Sequence, residues 1–207
     1  YDVIGTDPYP IPSSPPSNAG AYARKMTTAL CGNRAMWQVP QVFNWANYKK
    51  NETDKAAQRP PTFDEMRSMA WQSIAEGANG IIFYSWFDIR RDPTTPFEEQ
   101  WEKIKTIARE IKEMSPVLLS IETPPNVVIE PEPWLNVLVK HVDGITRVIL
   151  VNNDRNTGTA RVLMPAAGAT VTDRADSEPV ALGTDGLTAA VGMEPLAVRI
   201  LEIHWKS

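Results

Sequence analysis

Two aspartates and several aromatic residues lie where apolar runs of this sequence end. Asp7 follows the run at residues 2–6, and Asp88 lies near the end of the run at residues 81–89. A carboxyl group in such a position can act as a general acid or base. Flat aromatic faces nearby can stack on apolar ligand faces. The residue types therefore favour a binding or acid–base site. Its aromatic candidates are Tyr9, Trp45, Tyr48, Trp86 and Phe87.

Each aspartate also has a purely structural interpretation. Asp7 precedes Pro8, and an Asx side chain before proline commonly starts the turn that ends a strand. Asp88 is followed by Arg90 and Arg91, either of which could form an ion pair with it. Both interpretations stay open at the level of sequence.

Composition excludes several other kinds of site. The 207 residues include 21 Lys+Arg and 25 Asp+Glu, a net charge of −4, and no basic run, so we predict no nucleic-acid partner. The sequence has no G-x-x-x-x-G-K-[ST], G-x-G-x-x-G or G-x-S-x-G motif. The single cysteine, Cys31, and the histidines His141 and His204 cannot form a typical structural zinc site. We predict no cofactor, no metal and a buried, apolar role for Cys31.

The hydrophobic pattern predicts three β–α units over residues 1 to about 114. Strands should begin near Val3, Trp37 and Ile81, each followed by a helix. Such crossovers are what parallel strands require. We therefore predict a parallel sheet in this part of the chain.

Two of the predicted helices have clear sequence signals. Thr62 and Glu65 have the spacing of a capping box, which predicts a helix from Phe63 to about Gly77. A second helix should begin near Phe97, because apolar residues recur from there at helical spacing. The predicted apolar stripe consists of Phe97, Trp101, Ile104, Ala108 and Ile111.

After Pro116 the pattern changes to short alternating segments separated by turn signals. Those signals are Asp143-Gly144, Asn152-Asn153 and Asp185-Gly186. This spacing is typical of an antiparallel β-sandwich. We place the domain boundary between 114 and 125, with one domain at 1–116 and the other at 117–207.

Three segments in combination carry a family resemblance. They are IGTDPYPIP, WQVPQVFNW with the following RPPTFDEMRSMAWQSIAEGANG, and IIFYSWFDI. Together they resemble the last three βα units of a TIM-barrel glycoside hydrolase, followed by an antiparallel domain that ends like EPLAVRILEI. The resemblance implies an α/β plus all-β chain, in which a partial (β/α)8 barrel of three βα units precedes a β-sandwich.

The resemblance also implies where the site lies, because barrel active sites form at the carboxyl ends of strands. It points to Asp7 and Asp88 as the catalytic candidates, since glycoside hydrolysis usually needs two carboxyl groups. In an extended strand, Trp86 and Asp88 would point inward together. A bulge at Pro40 could bring two glutamines to one side. The implied substrate-binding residues are Tyr9, Gln38, Gln41, Trp45 and Trp86.

We therefore expect part of a glycoside hydrolase that is inactive in isolation and acts on a carbohydrate substrate as part of a larger protein. One departure favours an alternative. Retaining glycoside hydrolases of the large clan that this chain resembles carry a glutamate nucleophile at the end of the seventh barrel strand. In the corresponding segment this sequence has only Gln38 and Gln41. The alternative is a non-catalytic carbohydrate-binding or structural module.

The predicted partners follow from the same resemblance. Three parallel strands leave two unpaired edges and an apolar face, which must be covered. We expect either a homo-oligomer or an N-terminal barrel fragment to cover them. No apolar stretch reaches the ~18 residues of a membrane span, and residues 1–10 do not resemble a signal peptide. The resemblance favours export, but a fragment could not display the leader of its parent, so localisation stays open.

Overall fold

The structure is a computed structural model that describes residues 2–205. The chain divides into two compact units, one ending at Ile111 and the other beginning at Lys112. The first alternates helices with parallel strands, and the second consists mainly of antiparallel strands. The predicted combination of α/β and antiparallel β structure is confirmed.

The first unit contains a three-stranded parallel sheet in the order β1–β2–β3. Its strands begin within two residues of the predicted positions. The crossovers that parallel strands need are supplied by two longer helices, α1 and α3. The elements up to β3 are β1 (Val3–Thr6), α1 (Asn18–Leu30), β2 (Ala35–Gln38), a 3₁₀ turn (Trp45–Tyr48), α2 (Glu52–Ala56), α3 (Phe63–Ala75) and β3 (Gly80–Ile81).

The third strand is shorter than its apolar sequence suggests. Regular pairing stops at Ile81, and Trp86–Ile89 forms a helical turn, α4. The Ser85 hydroxyl caps this turn by accepting the backbone N–H of Asp88 at 3.1 Å. The prediction that Trp86 and Asp88 share an inward strand face is therefore wrong, because side chains alternate only in extended chain.

The sequence signals of the two long helices are confirmed. The Thr62 hydroxyl accepts the N–H of Glu65 at 3.2 Å, and the Glu65 carboxylate accepts the N–H of Thr62 at 2.9 Å. Helix α5 (Phe97–Glu113) packs its apolar stripe into the core of the unit. The stripe passes through the buried Ile107 and leaves the predicted Ala108 exposed.

Helices cover one side of the parallel sheet and leave apolar groups exposed on its strands. Met36 and Gln38 are buried, and Gln38 Nε2 donates to the carbonyl of Ala19 in α1 at 3.1 Å. The uncovered residues lie on or just after the strands and are 41–46% exposed. These exposed sheet residues are Val3, Trp37, Ile82 and Tyr84.

The second unit has two antiparallel sheets, in the orders β5–β6–β10–β8 and β4–β7–β9. Residues of both sheets, such as Val148, Leu201, Val162 and Val191, belong to one buried cluster, as in a β-sandwich. The Asp143-Gly144 signal forms the predicted turn between β5 and β6, with both φ angles positive. The elements are α6 (Ser115–Leu118), β4 (Val128–Ile129), β5 (Leu135–Val142), β6 (Ile145–Asn152), β7 (Gly158–Leu163), β8 (Thr170–Asp173), β9 (Thr188–Met193) and β10 (Val198–His204).

Cys31 differs from its prediction. It ends α1 in a left-handed conformation, with φ of 48°, and it is exposed rather than buried. Among residues 2–205, no helix is long and apolar enough to cross a membrane.

Candidate active site

A cleft opens where the chain leaves the carboxyl ends of the parallel strands. Its volume is about 330 Å³. One lining carboxylate comes from the loop after β1, while aromatic residues come from that loop, from the segment after β2 and from the end of the third apolar run. This aromatic cleft is lined by Asp7, Tyr9, Phe43, Trp45, Tyr48 and Tyr84.

The rings of the cleft pack directly against one another. Tyr9 stacks on Tyr84 with centroids 5.6 Å apart and planes 24° apart. Phe43 lies edge-on to Tyr9 at 5.1 Å and is only 1% exposed, so it forms the base of the cluster. Tyr48 and Tyr84 remain 48% and 41% exposed. The cleft therefore presents aromatic surface to a ligand while its base is fixed by packing.

Local hydrogen bonds set the aromatic side chains in place. The Asn44 side chain caps the 3₁₀ turn by accepting the N–H of Ala46 at 2.9 Å. That turn carries Trp45 and Tyr48. The Trp45 indole N–H donates to the carbonyl of Tyr9 at 3.3 Å, which ties the segment after β2 to the loop after β1.

Asp7 is the exposed carboxylate of the cleft, and the Tyr9 phenol lies beside it. Burial, followed by the charge of Asp7, raises the pKa of the Tyr9 phenol well above its ordinary value. Tyr9 therefore stays protonated beside the Asp7 carboxylate. Asp7 keeps a solvent-facing side that a ligand can reach.

Asp88 lies in a different environment and is 1% exposed. The Tyr48 hydroxyl donates to it at 2.9 Å and the Arg91 guanidinium at 2.8 Å, and the Ser85 hydroxyl donates as well. Burial alone would raise the pKa of Asp88, but these hydrogen bonds hold the pKa below its usual value. Of the two interpretations of Asp88, the structure contains the ion pair, which Asp88 forms with Arg91. A buried, ionised and fully engaged carboxylate is poorly suited to protonate a leaving group.

The two glutamines also have structural roles. Gln38 and Gln41 are both 0% exposed. Gln38 accepts from the Thr6 hydroxyl, and Gln41 bonds to the backbone of Ile11 and Phe43. Neither amide lines the aromatic cleft, although both glutamines were predicted as substrate-binding residues. Gln41 instead positions the loop and the ring that line the cleft.

The predicted tryptophans fall into separate groups. Trp45 lines the aromatic cleft, whereas Trp86 packs its edge against Phe97 at 6.0 Å. The Arg90 guanidinium lies 4.8 Å from the Trp86 ring centroid. The helical turn α4 carries Trp86 to this second group, so its predicted contact with substrate is not supported by its position.

Sequence reasoning did not select two cleft residues, Phe43 and Tyr84. Both follow the strands that were predicted to carry the site. Tyr84 has the signal of an aromatic residue near a strand end, but the helical turn after it was not recognised. Phe43 is too deeply buried to be distinguished from a core residue by its sequence.

No family model matches the chain, and the search of curated proteins found no significant match. Solved structures match its fold. An α-amylase from Geobacillus thermoleovorans, solved with acarbose, is 11% identical with a TM-score of 0.57, covering 88% of this chain and 43% of that one. An Anoxybacillus α-amylase is 12% identical with a TM-score of 0.56, covering 92% and 46%.

A third match, the protein AmyP solved with maltotriose, is 8% identical with a TM-score of 0.57. The aligned region covers 91% of this chain and 45% of AmyP. The chain therefore spans just under half the length of each of these three structures. At these identities the likeness concerns the fold alone. The chain has a fold like that of part of a glycoside hydrolase.

Proposed function

We propose that the aromatic cleft binds a carbohydrate and that the chain is part of a protein that hydrolyses O-glycosyl bonds. One observation carries this proposal: an exposed carboxylate, Asp7, lies beside aromatic faces at the carboxyl ends of parallel strands. Aromatic faces stack on the apolar faces of sugar rings, and a carboxylate accepts hydrogen bonds from their hydroxyls. The fold likeness to glycoside hydrolases supports the same assignment.

In this proposal Asp7 is the catalytic candidate of the chain. Hydrolysis usually requires two carboxyl groups flanking the scissile bond. Asp88 is committed to Arg91 and two hydroxyl groups, so the second carboxyl must come from outside this cleft. We therefore expect the 207-residue chain to bind a glycan without cleaving it.

We also propose that residues 1–116 form three βα units of a (β/α)8 barrel and that residues 117–207 form the domain after it. Within residues 2–205, the two edge strands of this sheet each lack a partner on their outer side. These edges and the exposed sheet residues support the arrangement, because uncovered parallel sheets are unusual. Further βα units or a second copy of the chain would cover them. Native mass spectrometry tests this proposal, and a soluble monomer at high concentration would contradict it.

Carbohydrate binding is tested with a glycan array, followed by calorimetry on the retained glycans. Trp45→Ala removes a cleft ring, and Trp86→Ala is the matched control because that ring lies outside the cleft. We expect the first variant to lose about tenfold or more in affinity, ~1.4 kcal/mol, and the second to bind normally. An array that retains no glycan, or equal losses in the two variants, would reject the proposed site.

A non-catalytic carbohydrate-binding module is the second candidate, and the ion pair of the buried Asp88 with Arg91 favours it. The two candidates differ in the effect of Asp7→Asn on the protein with its barrel partner. If the protein hydrolyses glycosides, this variant should bind glycan and lose hydrolysis. If no glycan retained by the chain is cleaved by the assembled protein, the non-catalytic candidate is correct.

A further inference from the structure

Two hydrogen-bond donors of the aromatic cleft are already used within the chain. The Trp45 indole donates to the Tyr9 carbonyl, and the Tyr9 phenol lies beside the Asp7 carboxylate. The Tyr48 hydroxyl donates to Asp88. The groups that the cleft offers a ligand are then mainly the Asp7 carboxylate, phenol oxygens and aromatic faces. Such a surface suits a ligand that brings its own donors.

The charge of the cleft also favours a ligand that carries hydrogen-bond donors, and in particular a cationic one. Asp7 is its exposed carboxylate, and none of the six lining residues is basic. Within residues 2–205, Asp7 forms no ion pair with a lysine or arginine, whereas the charge of Asp88 is balanced by Arg91. A negatively charged sugar would be repelled, and a cation would gain a counter-ion.

The aromatic faces can also hold a cation. Tyrosine and tryptophan faces attract an ammonium group placed within about 6 Å of the ring centroid. The Lys49 ammonium lies 6.0 Å from the Trp45 centroid, so this ring already faces one such group. Lys49 is exposed and is not a lining residue of the cleft.

We propose that the aromatic cleft selects amino sugars, whose protonated amine would be held by Asp7 and the tyrosine faces, over neutral and acidic sugars. The inference rests on the proposed carbohydrate-binding function and adds its substrate class. It does not depend on whether the bound glycan is cleaved.

The test compares four β-1,4-linked tetrasaccharides with related pyranose rings, those of glucosamine, N-acetylglucosamine, glucose and glucuronate. Calorimetry at pH 6 measures their binding to the full 207-residue chain. We expect the glucosamine oligomer to bind about tenfold tighter than the glucose and N-acetyl oligomers, with the glucuronate oligomer weakest. Higher salt should reduce this preference, because it screens an exposed charge pair.

Two variants test which residues cause the preference for the glucosamine oligomer. Asp7→Asn keeps the size of an exposed side chain and should equalise the glucosamine and glucose affinities. Lys49→Gln removes a nearby positive charge and should raise the glucosamine affinity about twofold to threefold. Equal binding of the four glycans, a preference that survives Asp7→Asn, or tighter binding of glucuronate would overturn the inference.

The outcomes also separate this inference from the proposed function. If the glycan array retains neutral glycans and the glucosamine oligomer binds no better than they do, the amino-sugar inference fails and carbohydrate binding stands. If no glycan of any class binds, both are wrong.

Discussion

Both amide atoms of Gln41 hydrogen bond to the backbone of Ile11, 30 residues earlier in the chain. Gln41 Oε1 accepts the Ile11 N–H at 2.8 Å, and Nε2 donates to the Ile11 carbonyl at 2.9 Å. The same Nε2 donates to the Phe43 carbonyl at 2.9 Å. Because Gln41 and Ile11 are both 0% exposed, the pairing fixes the loop of Asp7 and Tyr9 against the end of β2.

Removing this pairing should destabilise the first unit. Gln41→Ala leaves three backbone groups without partners, and each buried unsatisfied group costs ~1–3 kcal/mol. We expect the free energy of unfolding in urea to fall by about 3 kcal/mol or more. Gln58→Ala is the control, since the bond from Gln58 is exposed and long at 3.3 Å, and it should change stability by less than about 0.5 kcal/mol. Similar losses in the two variants would refute the role of Gln41.

The capping box at the start of α3 predicts a smaller effect. Thr62→Ala removes the acceptor for the Glu65 N–H, and such losses typically cost ~1 kcal/mol. Thr62→Ser keeps the hydroxyl and should restore most of the stability. Urea unfolding monitored by circular dichroism measures both. A serine variant as unstable as the alanine variant would show that the hydroxyl is not what stabilises this helix end.

The environment of Asp88 predicts a pH dependence. Because its pKa is lowered in the folded chain, its ionised form contributes stability above the ordinary aspartate pKa of ~3.9. This contribution is lost as the pH falls from ~4 through the lowered folded pKa. Asp88→Asn should therefore be less stable than the native chain at pH 7, with a difference that narrows below pH 4. Urea midpoints across this range test the prediction, and a difference independent of pH would contradict it.

Alanine substitutions at two glycines of the β-sandwich should have different effects on stability. A Cβ on Gly158 would lie 2.6 Å from the Trp134 ring, whereas a Cβ on Gly192 meets no atom within 4 Å. Gly158→Ala forces the ring to shift, which we expect to cost ~1–3 kcal/mol. Gly192→Ala should be neutral or stabilising by up to ~1 kcal/mol. Thermal unfolding of the pair provides the comparison, and equal stabilities would contradict it.

Much of the secondary structure could be predicted from the sequence, because interactions between residues close together in the chain determine it. The Thr62–Glu65 box, the stripe beginning at Phe97 and the Asp143-Gly144 turn each depend on residues a few positions apart. Their capping, burial and backbone preferences act within one element, so a sequence pattern predicts them. The order of parallel strands and helices followed from the same signals.

The site depended on contacts between distant parts of the chain. Tyr48 and Asp88 are 40 residues apart, and their hydrogen bond, together with Arg91, commits Asp88 to a structural role. Ser85 caps a helical turn at the end of an apolar run. Trp86 lies in this turn and packs against Phe97 instead of lining the cleft. The sequence by itself determined which carboxylates, amides and rings the chain has near its strand ends. Only the tertiary structure decided which remained accessible, because burial and hydrogen-bond partners depend on segments that meet only after folding.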